Sequence, residues 1–216
     1  MRRYDAVVWD WNGTLLDDVQ FCVCIINEML SRRNLSGISV EFYKAVMEFP
    51  VIHYYSKLGF CLQEEAFETI SDEFVSSYQA GWKRCELQQG TTDTMAAFAD
   101  AGVGQSVLSA SKSSHLFEQL RHFGVDKRLI FVTGADNHHG HGKLDIARSH
   151  IALLGTDPRR TLFIGDTAHD AEVAAEAGCQ CLLVSFGHYG FDRLKYLGLP
   201  VAQSMRDVLS FICPCS

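Results

Sequence analysis

Two kinds of hydrophobic pattern divide this chain. Short apolar runs of strand length occur at 4–10 (YDAVVWD), 103–110 (VGQSVLSA), 128–134 (RLIFVTG), 161–166 (TLFIGD) and 180–185 (QCLLVS). Elsewhere apolar residues recur every three or four positions. In 18–33 they are Val19, Cys22, Val23, Ile26, Met29 and Leu30, which is helical spacing. Helical signals continue over 41–58, broken at Pro50, and over 64–85 through Phe67, Ile70, Phe74, Val75 and Tyr78. Residues 17–87 therefore read as helices and polar turns throughout.

After residue 88 the grammar changes. Helical patterns at 113–122, 143–154 and 168–177 alternate with the apolar runs. That alternation predicts an α/β fold, a parallel sheet with helices on both faces. Gly102, Gly124, Gly155 and Gly178 follow helical stretches, where C-caps favour glycine. The expected architecture is a core from 1–16 and 88–216, with an all-helical unit, 17–87, inserted after the first strand. Ligands of such sheets gather at the carboxyl ends of the strands.

Composition narrows the function classes. A length of 216 residues suits one large domain or a core with a modest insert, and 47% hydrophobic residues suffice for a sizeable core. A net charge of -7 without a Lys/Arg stripe argues against nucleic acid as a partner. No apolar run is long enough to span a bilayer, and the run behind Arg2 and Arg3 is shorter than the roughly 7–15 residues of a signal core. The expectation is a cytoplasmic protein with no membrane partner. The eight cysteines fall as Cys22/Cys24, Cys61, Cys85, Cys179/Cys181 and Cys213/Cys215. Their one-residue gaps differ from zinc-site spacing, and Cys22 and Cys24 would lie about 200° apart on a helix. They read as reduced packing thiols, with Cys213 and Cys215 the place for reactive ones.

The predicted strand ends collect a particular chemistry. Asp10 ends the first run, Ser109 closes the second, Lys143 opens the helix after the third, and Asp166 ends the fourth with Asp170 one turn later. Singly, Ser109 is an ordinary strand-end serine, Lys143 a solvated helix-start lysine, and Asp166 and Asp170 an N-cap and an exposed acid. Asp10 is harder to explain that way, because an unpaired carboxylate at an apolar strand end is costly. Together they are the composition of a magnesium-assisted phosphoryl-transfer site. One carboxylate can attack phosphorus, others can hold a hard cation, and a hydroxyl and an ammonium can bind phosphoryl oxygens. Backbone N–H groups of the turn Asn12, Gly13 and Thr14 can point at the same oxygens.

With these motifs in this order, the chain resembles the haloacid dehalogenase superfamily, and within it the phosphoglycolate-phosphatase-like branch. The motifs are DWNGT (10–14), LSAS with Ser109, GHGKLDIA with Lys143, and GDTAHD (165–170). The likeness covers nearly the whole chain, because 17–87 matches the helical cap inserted after the first motif. The resemblance implies a Rossmann-like core and a phosphatase acting through an aspartyl phosphate at Asp10. It makes Ser109, Lys143, Gly13, Thr14 and Ala110 the phosphoryl-binding residues. Mg2+ would be held by Asp10, Asp166 and the main-chain carbonyl of Asn12, with Asp170 direct or through water. A small phosphorylated metabolite would be enclosed by the cap, and the protein would be a monomer or homodimer.

Asn12 departs from the pattern. The family's second acid protonates the leaving group and then deprotonates water, and an amide does neither. Such help is typically worth about 10²–10⁴-fold. The sequence therefore leaves three readings open: a slowed phosphatase, a phosphonatase using a cap lysine (Lys44 or Lys57), and a non-catalytic phosphate-ligand or protein-binding scaffold. The loop 134–143 adds Asn137, His138, His139 and His141 as candidate substrate contacts, and the cap adds Phe49, His53, Tyr54, Tyr55 and Lys57.

Overall fold

The computed structural model describes residues 3–135 and 142–212 of the chain. Its strands in chain order are β1 (Ala6–Trp9), β2 (Leu16–Asp17), β3 (Glu86–Leu87), β4 (Gly104–Lys112), β5 (Phe131–Ala135), β6 (Thr161–Gly165), β7 (Gln180–Val184) and β8 (Val201–Ala202). The helices are α1 (Val19–Arg32), α2 (Val40–Val46), α3 (Val51–Lys57), α4 (Phe67–Gly81), α5 (Thr91–Asp100), α6 (Ser113–His122), α7 (Gly142–Leu154), α8 (Ala168–Glu176), α9 (Phe191–Leu194) and α10 (Met205–Ile212). Six strands form one sheet in the order β5-β4-β1-β6-β7-β8, and every pair in it is parallel. This is the α/β sheet that the alternating pattern predicts.

β1 lies inside the sheet, between β4 and β6, and all four of its residues are buried. A strand covered on both faces must be apolar at consecutive positions, which is why it reads as a continuous run rather than an alternation. Its one large polar atom is provided for. The Trp9 indole donates to Gln105 Oε1 at 3.1 Å, and Gln105 Nε2 donates to the Met95 carbonyl at 2.8 Å. Register then places the chemistry. Trp9 pairs with Val107 of β4 and with Ile164 of β6, so Asp10, Ser109 and Asp166 emerge at the same edge.

α1 buries Val19, Cys22, Val23, Ile25, Ile26, Met29 and Leu30 against Tyr43, Tyr54, Tyr55, Ile70 and Tyr78. Pro50 caps α3, so the helical pattern over 41–58 is two helices. Arg33 ties this group together, reaching both Glu65 and Glu73 at 2.6 Å. The same apolar cluster includes Leu183, Tyr189 and Leu194 from the sheet side. Arg193 donates to the backbone carbonyls of Lys44 and Met47 across that contact, and Lys44 Nζ donates to the Phe186 carbonyl at 3.0 Å.

Three expectations are corrected. Residues 17–87 are not all helix and turn: β2 and β3 pair antiparallel, Leu16 with Leu87 and Asp17 with Glu86. Two-residue strands are too short to show a period. The run 128–134 begins as a turn over Asp126–Arg128, where charged residues cluster, and Ile130 is 65% exposed. Pairing with β4 starts only at Phe131. The stretch 64–85 is α4 followed by a 3-10 turn, Trp82–Arg84. The edge strand β8, only two residues long, carried no pattern in the sequence. Among the described residues no helix is long and apolar enough to cross a membrane.

Gln105 gives a test of this core. Gln105→Leu leaves the buried Trp9 indole N–H without a partner and removes the second donor to the Met95 carbonyl, and the expected loss is about 1–3 kcal/mol of unfolding free energy in a urea titration. A loss under about 0.5 kcal/mol would contradict the account of the β1–β4 core.

Candidate active site

At the carboxyl edge of the sheet, three acids and one lysine are packed out of solvent. Asp10 follows β1, Asp166 follows β6, Asp170 lies in the first turn of α8 and Lys143 in the first turn of α7. All four are buried. Lys143 Nζ donates to Asp10 Oδ1 at 2.5 Å and to Asp170 Oδ1 at 2.6 Å. Asp170 is neither an N-cap nor exposed. Thr167 caps α8, and Asp170 Oδ2 accepts from the Asp166 N–H, the Thr167 N–H and the Thr167 hydroxyl at 3.1, 2.9 and 2.7 Å. This capping box fixes Asp170 as the lysine's second anchor.

The charges do not balance. Burial pushes Asp10 up to about 6 against the pull of Lys143, and pushes Asp166 up to about 8. Burial acts the same way on Asp170, but Lys143 and the Thr167 donors outweigh it and hold the acid below the usual range. Burial disfavours the Lys143 ammonium, yet its two carboxylates raise it further. Three carboxylates thus face one ammonium. Oxygens of Asp10, Asp166 and Asp170 lie within 4.8 Å of one another, a hard, anionic donor set suited to a divalent cation. Asp170 already accepts four hydrogen bonds, so Asp10 and Asp166 have more capacity left for a metal.

Glycines allow this crowding. A Cβ on Gly13 or on Gly187 would come within 2.2 Å of Asp166 Oδ2, and Gly13 also holds a left-handed φ of 74°. The space next to that carboxylate exists because neither position carries a side chain. The backbone N–H of His188 closes on the same oxygen at 2.5 Å, while the Thr14 hydroxyl reaches Asp166 Oδ1 at 3.3 Å.

Asn12 is engaged on both ends of its amide. Its Oδ1 accepts from Ser111 Oγ at 2.9 Å, and its Nδ2 donates to Asp18 Oδ2 and to the Tyr78 hydroxyl, each at 2.7 Å. Asp18 is 1% exposed and also accepts from the Gly13 N–H at 2.9 Å and the Tyr78 hydroxyl at 2.7 Å. His188 Nε2 stands 3.4 Å from Asp18 Oδ1, and its Nδ1 meets the Tyr43 hydroxyl at 2.9 Å. Burial works against the imidazolium, but Asp18 overrides it and raises His188 to about 9. Burial likewise works against the Asp18 carboxylate, and His188 with its neighbouring donors holds it low. Cys22 lies near this pair, yet the polar atoms of Asp18 and His188 already have partners.

The structure brings Asp10, Lys143, Asp166 and Asp170 together. Ser109 is buried at the same edge, with Oγ accepting from the Ser111 N–H at 3.1 Å, and Ala110 is half-buried beside it. Two expectations change. The Gly13 N–H donates to Asp18 and to the Leu16 carbonyl instead of facing outward, and the Thr14 hydroxyl supports Asp166. In the cap, Tyr54 and Tyr55 are buried, His53 and Phe49 are exposed, and Lys57 pairs with Glu48 at 2.7 Å. Asn137, His138, His139 and His141 lie outside the described residues, as do Cys213 and Cys215. Sequence reasoning missed Asp18, Tyr43, Tyr78, Ser111 and His188. The available signals were the second acid of Asp17-Asp18 and the Gly-His-Tyr-Gly stretch after the last long strand.

The His188–Asp18 pair carries a pH signature. A histidine raised in the folded state stabilises fully below its unfolded value of 6.5, and that contribution is lost as pH rises through about 9. The chain is therefore expected to lose denaturant stability between about pH 7 and about pH 10, and His188→Gln, less stable at the lower pH, to lose less over that interval. Equal slopes for the two chains would contradict the charged pair.

Comparisons with known proteins agree with this fold. Residues 7–184 match the family model of the haloacid dehalogenase-like hydrolases. The chain is 27% identical over 184 residues to tyrosine-protein kinase PtkA of Mycobacterium tuberculosis, covering 84% of this chain and 62% of that protein. It thus spans less than two thirds of that relative's length. It is 26% identical over 226 residues to N-acetylmuramic acid 6-phosphate phosphatase of Pseudomonas aeruginosa, covering 99% and 98% of the two chains. A solved haloacid dehalogenase-like hydrolase of Streptococcus pneumoniae shares the fold, with a TM-score of 0.82 at 16% identity over 97% of this chain and 98% of its own. The matched span runs from within β1 to the end of β7 and contains every acid of the site, and the chain belongs to the haloacid dehalogenase-like hydrolase family.

Proposed function

We propose that this protein is a magnesium-dependent phosphatase of small phosphorylated metabolites, acting through an aspartyl phosphate at Asp10. The observation that carries this reading is Lys143 held between Asp10 and Asp170 beside the buried Asp166. Asp10, Asp166 and the Asn12 carbonyl would hold Mg2+, which supplies positive charge for phosphoryl oxygens. Asp10 attacks phosphorus, the P–O bond to the leaving group breaks, and water later cleaves the acyl phosphate to return Asp10 and release phosphate. Lys143 orients the attacking carboxylate and neutralises the transferred group. Ser109 is the hydroxyl donor at the neighbouring strand end. A small substrate suits the helices around Tyr78, whose hydroxyl meets Asn12, and Tyr43, whose hydroxyl meets His188. The phosphatase name of the P. aeruginosa relative, which this chain matches nearly end to end, supports the same reading.

Asn12 sets the rate in this account. With no acid to protonate an alkoxide, alkyl phosphates react slowly, while aryl and acyl phosphates lose less in the first step. The second step lacks its base, so the phosphorylated Asp10 accumulates. The local structure is matched to the amide: a carboxylate at position 12 would face the Asp18 carboxylate where Asn12 now donates at 2.7 Å.

One observation favours a second reading, cleavage of a carbon–phosphorus bond. The half-buried Lys44 ammonium binds a backbone carbonyl next to Gly187, and burial lowers its pKa, the property a Schiff-base lysine needs.

The test is phosphate release with Mg2+ from an aryl phosphate, an alkyl phosphate and an aldehyde-bearing phosphonate. The charge-conserving swap Asn12→Asp/Asp18→Asn is expected to exceed the native chain on the alkyl phosphate by about 10²–10⁴-fold, with a much smaller gain on the aryl ester. Asn12→Asp alone, with two facing carboxylates, is expected to gain less than the swap. Equal rates on the alkyl phosphate would show that another group supplies the proton. Release from the phosphonate alone, lost in Lys44→Met, would favour the second reading.

A further inference from the structure

Behind the site lies a buried polar chain that the chemistry above does not use. His150 is on α7, on the face it shares with Lys143 and Ala147, and is 1% exposed. Its Nε2 meets Ser106 Oγ of β4 at 2.9 Å, and its Nδ1 meets Thr133 Oγ1 of β5 at 2.8 Å. Ser106 Oγ in turn donates to the Val7 carbonyl of β1 at 3.4 Å. The proton order follows from the donors available. The single Ser106 hydrogen goes to Val7, so Nε2 carries the ring proton, and Nδ1 accepts from the Thr133 hydroxyl. A neutral imidazole satisfies every group in the chain, and burial holds His150 neutral by lowering it to about 4.

The placement gives this chain a meaning. Val7 precedes Asp10 by three residues on β1, Ser106 precedes Ser109 by three on β4, and His150 follows Lys143 by seven on α7. One hydrogen-bonded line therefore joins the three elements that carry the nucleophile, the hydroxyl and the ammonium. Apolar packing between a helix and a sheet has no preferred direction, and the rest of this α7 face is apolar, through Ala147 and Ile151. Hydrogen bonds to both ring nitrogens fix rotation and sliding of α7, because their angles are restrictive. The Lys143 contacts of 2.5 and 2.6 Å tolerate little of either.

We propose that His150 is a positioning residue for phosphoryl binding: through Ser106, Thr133 and the Val7 carbonyl it sets α7 on the sheet so that Lys143 meets Asp10 and Asp170. This rests on the reading that Lys143 binds the phosphoryl group.

The test is a double-mutant cycle read by calorimetric binding of inorganic phosphate in the presence of Mg2+. His150→Leu is expected to weaken phosphate binding about tenfold in the native background and to have no further effect in Lys143→Met. His150→Gln, which keeps a donor toward Ser106, is expected to recover most of the loss. Thr133→Val, a milder change, gives the same cycle should His150→Leu not fold, with a smaller loss that again vanishes without Lys143. Equal losses in both backgrounds would reduce His150 to general packing and overturn the proposal, as would unchanged phosphate binding. Should Lys143→Met bind phosphate as well as the native chain, the reading beneath the proposal fails, and the two failures are told apart by that single comparison.

Discussion

A lysine ammonium shared by two buried carboxylates sets the terms for the rest of this molecule. Removing such charges from water costs several kcal/mol each, and only close geometry and added hydrogen bonds offset it. Lys143 is 3% exposed, so its partners must stand where its own helix places it. That requirement fixes three elements against one another: β1 through Asp10, α7 through Lys143 and α8 through Asp170. The capping box at Thr167 and the buried line through His150 both serve that one alignment, while the glycines facing Asp166 make room for the third acid beside it.

The second constraint is electrostatic balance on the other side of the loop that follows Asp10. Asp18 and His188 form a buried pair, and Asn12 is the neutral group that links it to Ser111. A carboxylate at position 12 would add charge beside Asp18 without a new partner. The amide is therefore part of a consistent local structure, in which the acid stands six residues further along the chain. Tyr43 and Tyr78 complete the network from α2 and α4, Tyr43 at His188 and Tyr78 at Asn12 and Asp18, so these helices meet the sheet edge through hydroxyls and not only through apolar packing.

Much of this was legible in the sequence, for physical reasons. Asp10 ends a fully apolar strand, where a carboxylate demands a partner, and Asp166 ends another strand of the same alternating pattern. Lys143 and Asp170 stand at helix starts that the alternating pattern locates. The parallel sheet follows from that alternation. What stayed hidden depends on contacts between distant segments: Tyr78 meets Asp18 across 60 residues, and Tyr43 meets His188 across 145. No local pattern marks such partners. The pairing of β2 with β3 was hidden for the opposite reason, since two residues cannot show a period.

The central claim is that Asp10 carries the phosphoryl group and that Asn12 leaves it there. The direct measurement is acid quenching after mixing with an acyl or aryl phosphate and Mg2+, followed by peptide mass spectrometry. The account predicts one phosphoryl group, sensitive to hydroxylamine, on the peptide containing Asp10 and absent from Asp10→Asn. A phosphoryl group on any other residue, or none on an enzyme that releases phosphate under the same conditions, would contradict it.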